Sequence, residues 1–184
     1  MKSPAILCCL MLALSAPAPA LGATPEVSAR RIESGGEHVF VVAASGSVKA
    51  SPAAVWKVLT DYERMPDFVP DLKTARVLSR AGNGAVLEQT GVARFMFLSR
   101  AIRLVVNVHE VPMSAIDISL VSGDMKMYDC RWQITPLADG GTQIDYSGQM
   151  VPKFYVPGVM GSNMIRRDIT RMMQAVFDHL DKPA

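Results

Sequence analysis

Glu88, Arg94, Arg103, Asp117, Asp129 and Asp145 all fall in stretches where apolar and polar residues alternate. General acid–base chemistry needs a titratable group in a water-poor pocket. Which of these side chains point inward therefore decides whether the chain can do such chemistry. In "KMYDCRWQIT", Tyr128, Cys130, Trp132 and Ile134 share one face and Asp129 takes the other. In "TQIDYSGQMV", Ile144, Tyr146 and Met150 lie opposite Asp145, because successive strand residues point to opposite sides. With the aromatic face inward, Asp129 and Asp145 face solvent. Glu88 and Asp117 stay open as acid or base. Arg94 and Arg103 are candidate polar anchors, since a guanidinium holds a polar head group with two parallel donors.

Other chemistries find little support. His38, His109 and His179 are far apart, with no partner at ligand spacing, so no metal site is expected. No serine sits in a G-x-S-x-G elbow. Cys130 has no cationic neighbour at a helix start and reads as a small buried hydrophobe. "GVMG" near Gly158 lacks the preceding strand and the Lys-Ser/Thr ending of a phosphate cradle. The residues point to no catalytic set and no cofactor.

The methionines are more suggestive. Met150, Met160, Met164, Met172 and Met173 gather around the last strand and the final helix. Methionine fills a core, but it also adapts to ligands of variable shape, and both readings stay open. Arg166, Arg167 and Arg171 make a small basic face beside that stripe. It is either a solvated face or a site of transient contact with anionic lipid heads. "RFMFLSR" (Arg94–Arg100) is ordinary strand or a second such contact.

These residues need elements to hold them. The chain has 184 residues. Lys2, an apolar run from Ala5 to Ala16 and the small residues of "APAPALGATPE" have the form of a Sec-type signal peptide over residues 1–23. Cleavage after Gly22 or Ala23 fits, and "APA" at Ala18–Ala20 also qualifies; an uncleaved anchor is the alternative. Export to the periplasm or beyond is the expectation. The formal charge of +2 falls to +1 without Lys2, which gives no general pull on nucleic acid. Residues 24–36 read as a loose arm, and 37–182 as one domain.

In that domain "HVFVVAASGSVKA" reads as a strand. Ser51 caps a helix, with Pro52 at its first position. Val55, Trp56, Leu59 and Tyr62 recur at helical spacing, and Pro66 and Pro70 break the helix into a short second one near 65–71. Six strands joined by short turns follow. From about Gly161 a helix returns, with Ile165, Ile169, Met172, Val176 and Leu180 along one stripe. A long antiparallel sheet must bury its apolar face, and the last helix is long enough to cover it.

That order, with "ASPAAVWKVLTDYERMPDFVPDL", "GDMKMYDCRWQITPL" and "IDYSGQMVPKFYVPG" in their places, resembles the START-like helix-grip (SRPBCC) superfamily. Within it the chain is most similar to the coenzyme Q-binding and polyketide cyclase/dehydrase-like branch. The resemblance covers about residues 38–180. It implies an α+β fold: a curved antiparallel sheet wrapped around a long C-terminal helix, with two short helices after the first strand closing one cavity end. It also implies a small hydrophobic or amphipathic ligand (lipid, quinone or polyketide-like) between sheet and helix. The expected lining is Trp56, Phe68, Trp132, Tyr146 and Met150, facing Met164, Ile165, Ile169 and Met172 on the helix. A cyclase/aromatase- or hydratase-like enzyme working in the same cavity, or an interaction module with a filled core, are the alternatives. Tyr62 and Phe68 either hold a cavity rim or plug the core end.

Overall fold

The computed structural model describes residues 24–95, 98–156 and 158–182. The expected signal peptide, residues 1–23, and Met96 and Phe97 of "RFMFLSR" lie outside the described residues. Eight strands form one antiparallel sheet: β1 (Glu26–Ser34), β2 (Glu37–Val48), β3 (Leu72–Ala81), β4 (Gly84–Phe95), β5 (Leu98–Val111), β6 (Ala115–Gly123), β7 (Met125–Pro136) and β8 (Thr142–Pro152). Helix α1 (Pro52–Thr60) and a 3₁₀ helix (Tyr62–Asp67) link β2 to β3, and helix α2 (Gly158–Leu180) ends the fold. The strand order is β1-β2-β8-β7-β6-β5-β4-β3. The α1 crossover thus carries the chain from near one edge of the sheet to the other. This is the helix-grip architecture, a curved sheet around a C-terminal helix.

The loose arm is corrected. Residues 26–34 form β1, paired along its length with β2. Gly35 and Gly36 have φ of 58° and 77°, the pair of positive values a tight two-residue hairpin turn requires. Val27 and Ala29 alternate inward against the core, and α2 packs chiefly on β1 and β2. The Ser, Glu and Arg content of this strand belongs to its solvent face.

The first helix begins as its sequence requires. Ser51 accepts a hydrogen bond from the Ala54 N–H at 3.4 Å, and Pro52 opens the first turn. Val55 and Leu59 are fully buried. The inner sheet face carries Phe40, Val42, Leu87, Val106, Ile116, Trp132 and Ile144, all buried. The outer face is held by exposed ion pairs, among them Arg76–Glu88 at 3.1 Å and Lys126–Glu37 at 2.6 Å. Such pairs contribute under about 1 kcal/mol each, so apolar burial on the inner face dominates.

Burial along α2 is uneven. Met173, Val176 and Phe177 are fully buried and Ile169 nearly so, whereas Met164, Ile165 and Met172 are half-buried. The C-terminal half sits tightly because β2 offers Gly46 there: a Cβ at that position would stand 2.5 Å from Phe177 Cε2. The N-terminal half passes over the sheet without touching its far strands in the same way. Removing residues 24–36 tests the role assigned to β1. The shortened chain should unfold at lower urea, with a loss of about 2 kcal/mol or more from exposed α2 and β2 surface. An unchanged midpoint in urea-unfolding fluorescence would restore the arm.

Candidate ligand-binding cavity

Between the sheet and the N-terminal half of α2 lies a cavity of about 310 Å³, at the lower end of the roughly 300–1,000 Å³ typical of small-molecule sites. Leu87, Leu104 and Ile118 line it from the sheet, and Met164, Ile165, Ile169 and Met172 from the helix. Trp132, Tyr146 and Met150, also expected from sequence, stand in the same wall. The methionines divide: Met150, Met164 and Met172 line the cavity, Met173 is packed solid and Met160 is exposed.

Two expected lining residues stand elsewhere. Trp56 is half-buried against the core margin. It lies one helical step, about 100°, from Val55, whose direction defines the buried face of α1. Phe68 is turned away by the 3₁₀ helix and stacks on His179 of α2, with ring centroids 4.1 Å apart. Its neighbours Met65, Val69 and Pro70 reach the cavity instead. Tyr62 also lines it, so this kinked stretch forms part of the wall.

The kink has a further product. After Pro70, Asp71 takes φ of 64°, a left-handed conformation that Asp and Asn tolerate better than other side-chain-bearing residues. Its carbonyl accepts the Val92 N–H at 2.9 Å. Gly91 permits this approach, since a Cβ there would come within 2.7 Å of that oxygen. So placed, the Asp71 carboxylate accepts from Arg94 Nε at 2.7 Å and from Arg171 of α2 at 2.5 Å; Arg171 also binds Asp168 at 2.9 Å. Asp71, Arg94 and Asp168 border the cavity. The cluster ties the loop after the 3₁₀ helix to β4 and to α2 and carries no net charge.

Of the expected anchors, Arg94 therefore reaches the cavity, already engaged by a carboxylate. Arg103 does not: it lies on the outer face and pairs with Glu88. Asp117 is also outside, bound to Arg131 at 2.5 Å, and Asp129 and Asp145 share that outer side. The expected basic face on α2 shrinks to Arg166 and Arg167, because Arg171 is drawn into the Asp71 cluster. His38 and His109 are exposed. Among the described residues no group of three or more His, Cys, Asp or Glu side chains is placed to hold a metal ion.

Two interior polar groups escaped the sequence reading. At one end Tyr62 donates to Glu110 at 2.8 Å, and Arg80 donates to the same oxygen at 2.9 Å while its guanidinium lies 5.6 Å from the Tyr62 ring. Burial and the Glu110 bond push the Tyr62 phenol above its ordinary value. The alternation of "VVNVHEV" places Glu110 on the inner face with Val106 and Val108, a signal open to inspection. On the cavity wall the Tyr146 hydroxyl donates to Cys130 Sγ at 3.0 Å. Burial pushes the thiol up to about 11, which leaves it protonated at neutral pH. Cys130 is thus buried as expected, and it is also a hydrogen-bond partner.

The Asp71 cluster makes stability depend on pH. Burial raises the Asp71 carboxyl, but the bonds and charges of Arg94 and Arg171 together outweigh it and hold it below the ordinary 3.8. Its stabilisation is therefore complete above 3.8 and lost as pH falls through the lower folded value. Asp168 runs the other way, raised by burial against the opposing pull of Arg171, and becomes less costly in acid. Asp71→Asn keeps the left-handed backbone and should cost about 1 kcal/mol at pH 7, since both arginines are more than a third exposed. The difference from the parent should shrink below pH 3.8 in thermal unfolding; an equal difference at both pH values would contradict the role given to this carboxylate.

Comparison with known proteins places this geometry. Among curated proteins none matches the chain by sequence. The fold is shared with a START superfamily protein from Mycobacterium smegmatis, at 20% identity and a TM-score of 0.68 over 77% of this chain and 97% of that one. It is shared with the Zhui aromatase/cyclase from Streptomyces sp. R1128, at 15% identity and a TM-score of 0.66 over 78% and 94%. A STAR-related lipid transfer protein from Xanthomonas axonopodis is similar at 17% identity and a TM-score of 0.66 over 86% and 94%. Residues 48–177, from the end of β2 into the buried half of α2, match the family described as polyketide cyclase / dehydrase and lipid transport, and the chain belongs to that family.

Proposed function

We propose that the protein is an exported binding protein that carries a small hydrophobic or amphipathic molecule between its sheet and α2. One observation carries this reading: the apolar cavity of about 310 Å³ that the N-terminal half of α2 roofs without filling. The space leaves the filled interaction module without its defining feature. Export is argued from the sequence of residues 1–23. Family membership supports a lipid, quinone or polyketide-like guest. Arg166 and Arg167, near the exposed Met160, would meet anionic lipid heads briefly during loading.

The energetics select the guest. Each buried CH₂ contributes about 0.8 kcal/mol, while association costs on the order of 4–15 kcal/mol. A guest of fewer than about ten buried carbons therefore gains little. The enzyme alternative is the weaker one, because Glu88, Arg103 and Asp117 lie outside and Asp71 and Asp168 are tied to arginine.

Native mass spectrometry of protein from its own host, with extraction of the bound material, should find a co-purifying apolar molecule. Recombinant protein should bind N-phenyl-1-naphthylamine saturably, with enhanced fluorescence. Met172→Trp, which extends a bulky ring into the cavity, should weaken that binding tenfold or more, by about 1.4 kcal/mol or more. Equal binding by parent and variant, with no apolar molecule recovered, would contradict the carrier reading.

A further inference from the structure

We propose that the guest is a neutral molecule whose carbonyl oxygen is received by the hydroxyls of Tyr128 and Tyr146; this rests on the carrier reading above. Both tyrosines line the cavity, one from β7 and one from β8. Tyr146 donates to Cys130 Sγ at 3.0 Å, and the Tyr128 hydroxyl is hydrogen-bonded within the same trio. Among the described residues the two phenols have no carbonyl or carboxylate acceptor. A thiol sulfur is a weak acceptor. A phenol donating to it gives up little by turning to a carbonyl oxygen and gains a stronger bond.

The surroundings hold this arrangement in place. Gly148 pairs with Cys130 across the β7–β8 ladder, and a Cβ there would stand 2.8 Å from Sγ. The missing side chain gives the sulfur room beside the tyrosines. Trp132 packs against the Tyr146 ring, centroids 4.9 Å apart and tilted by 58°. The neighbouring Cys130, followed by burial, raises the Tyr128 phenol, and burial raises that of Tyr146, so both stay protonated donors at neutral pH.

The charges argue against an anionic head group. Arg94, the arginine in the cavity wall, shares Asp71 with Arg171, and Arg171 also holds Asp168. A carboxylate or phosphate entering there would have to displace one of those aspartates. A ketone, quinone or ester carbonyl needs only the phenols.

Three probes of related skeleton separate the possibilities: decanophenone, decylbenzene and decanoate, each measured by displacement of N-phenyl-1-naphthylamine. Replacing both tyrosines, Tyr128→Phe with Tyr146→Phe, should weaken decanophenone about tenfold or more and leave decylbenzene within about twofold, as expected for loss of hydrogen bonds alone. Unchanged decylbenzene binding also certifies that the variant is folded, and the two single variants repeat the comparison if the double one is not. The carbonyl stretch of bound decanophenone should move to lower wavenumber in the parent and lose that shift in the double variant. The proposal is overturned if the variant weakens both neutral probes equally, if it weakens neither, or if decanoate binds the parent more tightly than decanophenone. Failure of decylbenzene to bind the parent at all would overturn the carrier reading together with it.

Discussion

Everything in this fold follows from how α2 is seated. Phe177 enters the gap that Gly46 leaves in β2, and with Met173, Val176 and Ile169 it fixes the C-terminal half of the helix over one side of the sheet. At about 1.5–3 kcal/mol for each buried side chain, this clamp is worth on the order of 6–12 kcal/mol. The Asp71–Arg171 tie, between Ile169 and Met173, adds about 1 kcal/mol to the same half. The helix is therefore held chiefly along its C-terminal half. A cavity results because the strands far from β1 and β2 curve beneath a helix that their own side chains do not reach.

Polar groups inside such a space must be satisfied or functional. Glu110 is satisfied by Tyr62 and Arg80, which close one end. The Asp71 cluster is satisfied within itself, except that Arg171 Nε is buried with no partner among the described residues. The tyrosine–cysteine trio is satisfied within itself, through the Cys130 sulfur and between its two hydroxyls. Its phenols gain by exchanging sulfur for a stronger acceptor. The ends of the cavity thus serve stability, and the wall between them is where a guest would be recognised.

Much of this was legible in the residues. The alternation of "KMYDCRWQIT" and "TQIDYSGQMV" located the inner face, the outward carboxylates and the cavity wall around Trp132 and Tyr146. Ser51-Pro52 marked a helix start, and the stripe on α2 marked the covering helix. The failures have physical causes. β1 was hidden because its solvent face is charged and its inner face is only Val27 and Ala29, although Gly35-Gly36 announced a hairpin. Phe68 caps the end of the 3₁₀ helix and Trp56 stands one step from the buried face of α1, where a rotation of one residue decides between cavity and surface. The Asp71 cluster could not be read at all, since its members meet through a left-handed turn and a close approach at Gly91, both properties of the folded chain.

The central claim is that the space under the N-terminal half of α2 is empty of protein and apolar. A crystal of the protein held under xenon pressure tests it most directly, because xenon enters apolar cavities that water leaves dry. The account predicts xenon bound among Leu87, Leu104, Ile118 and Ile169. Density showing that space filled by the protein's own side chains, with no xenon bound there, would contradict it.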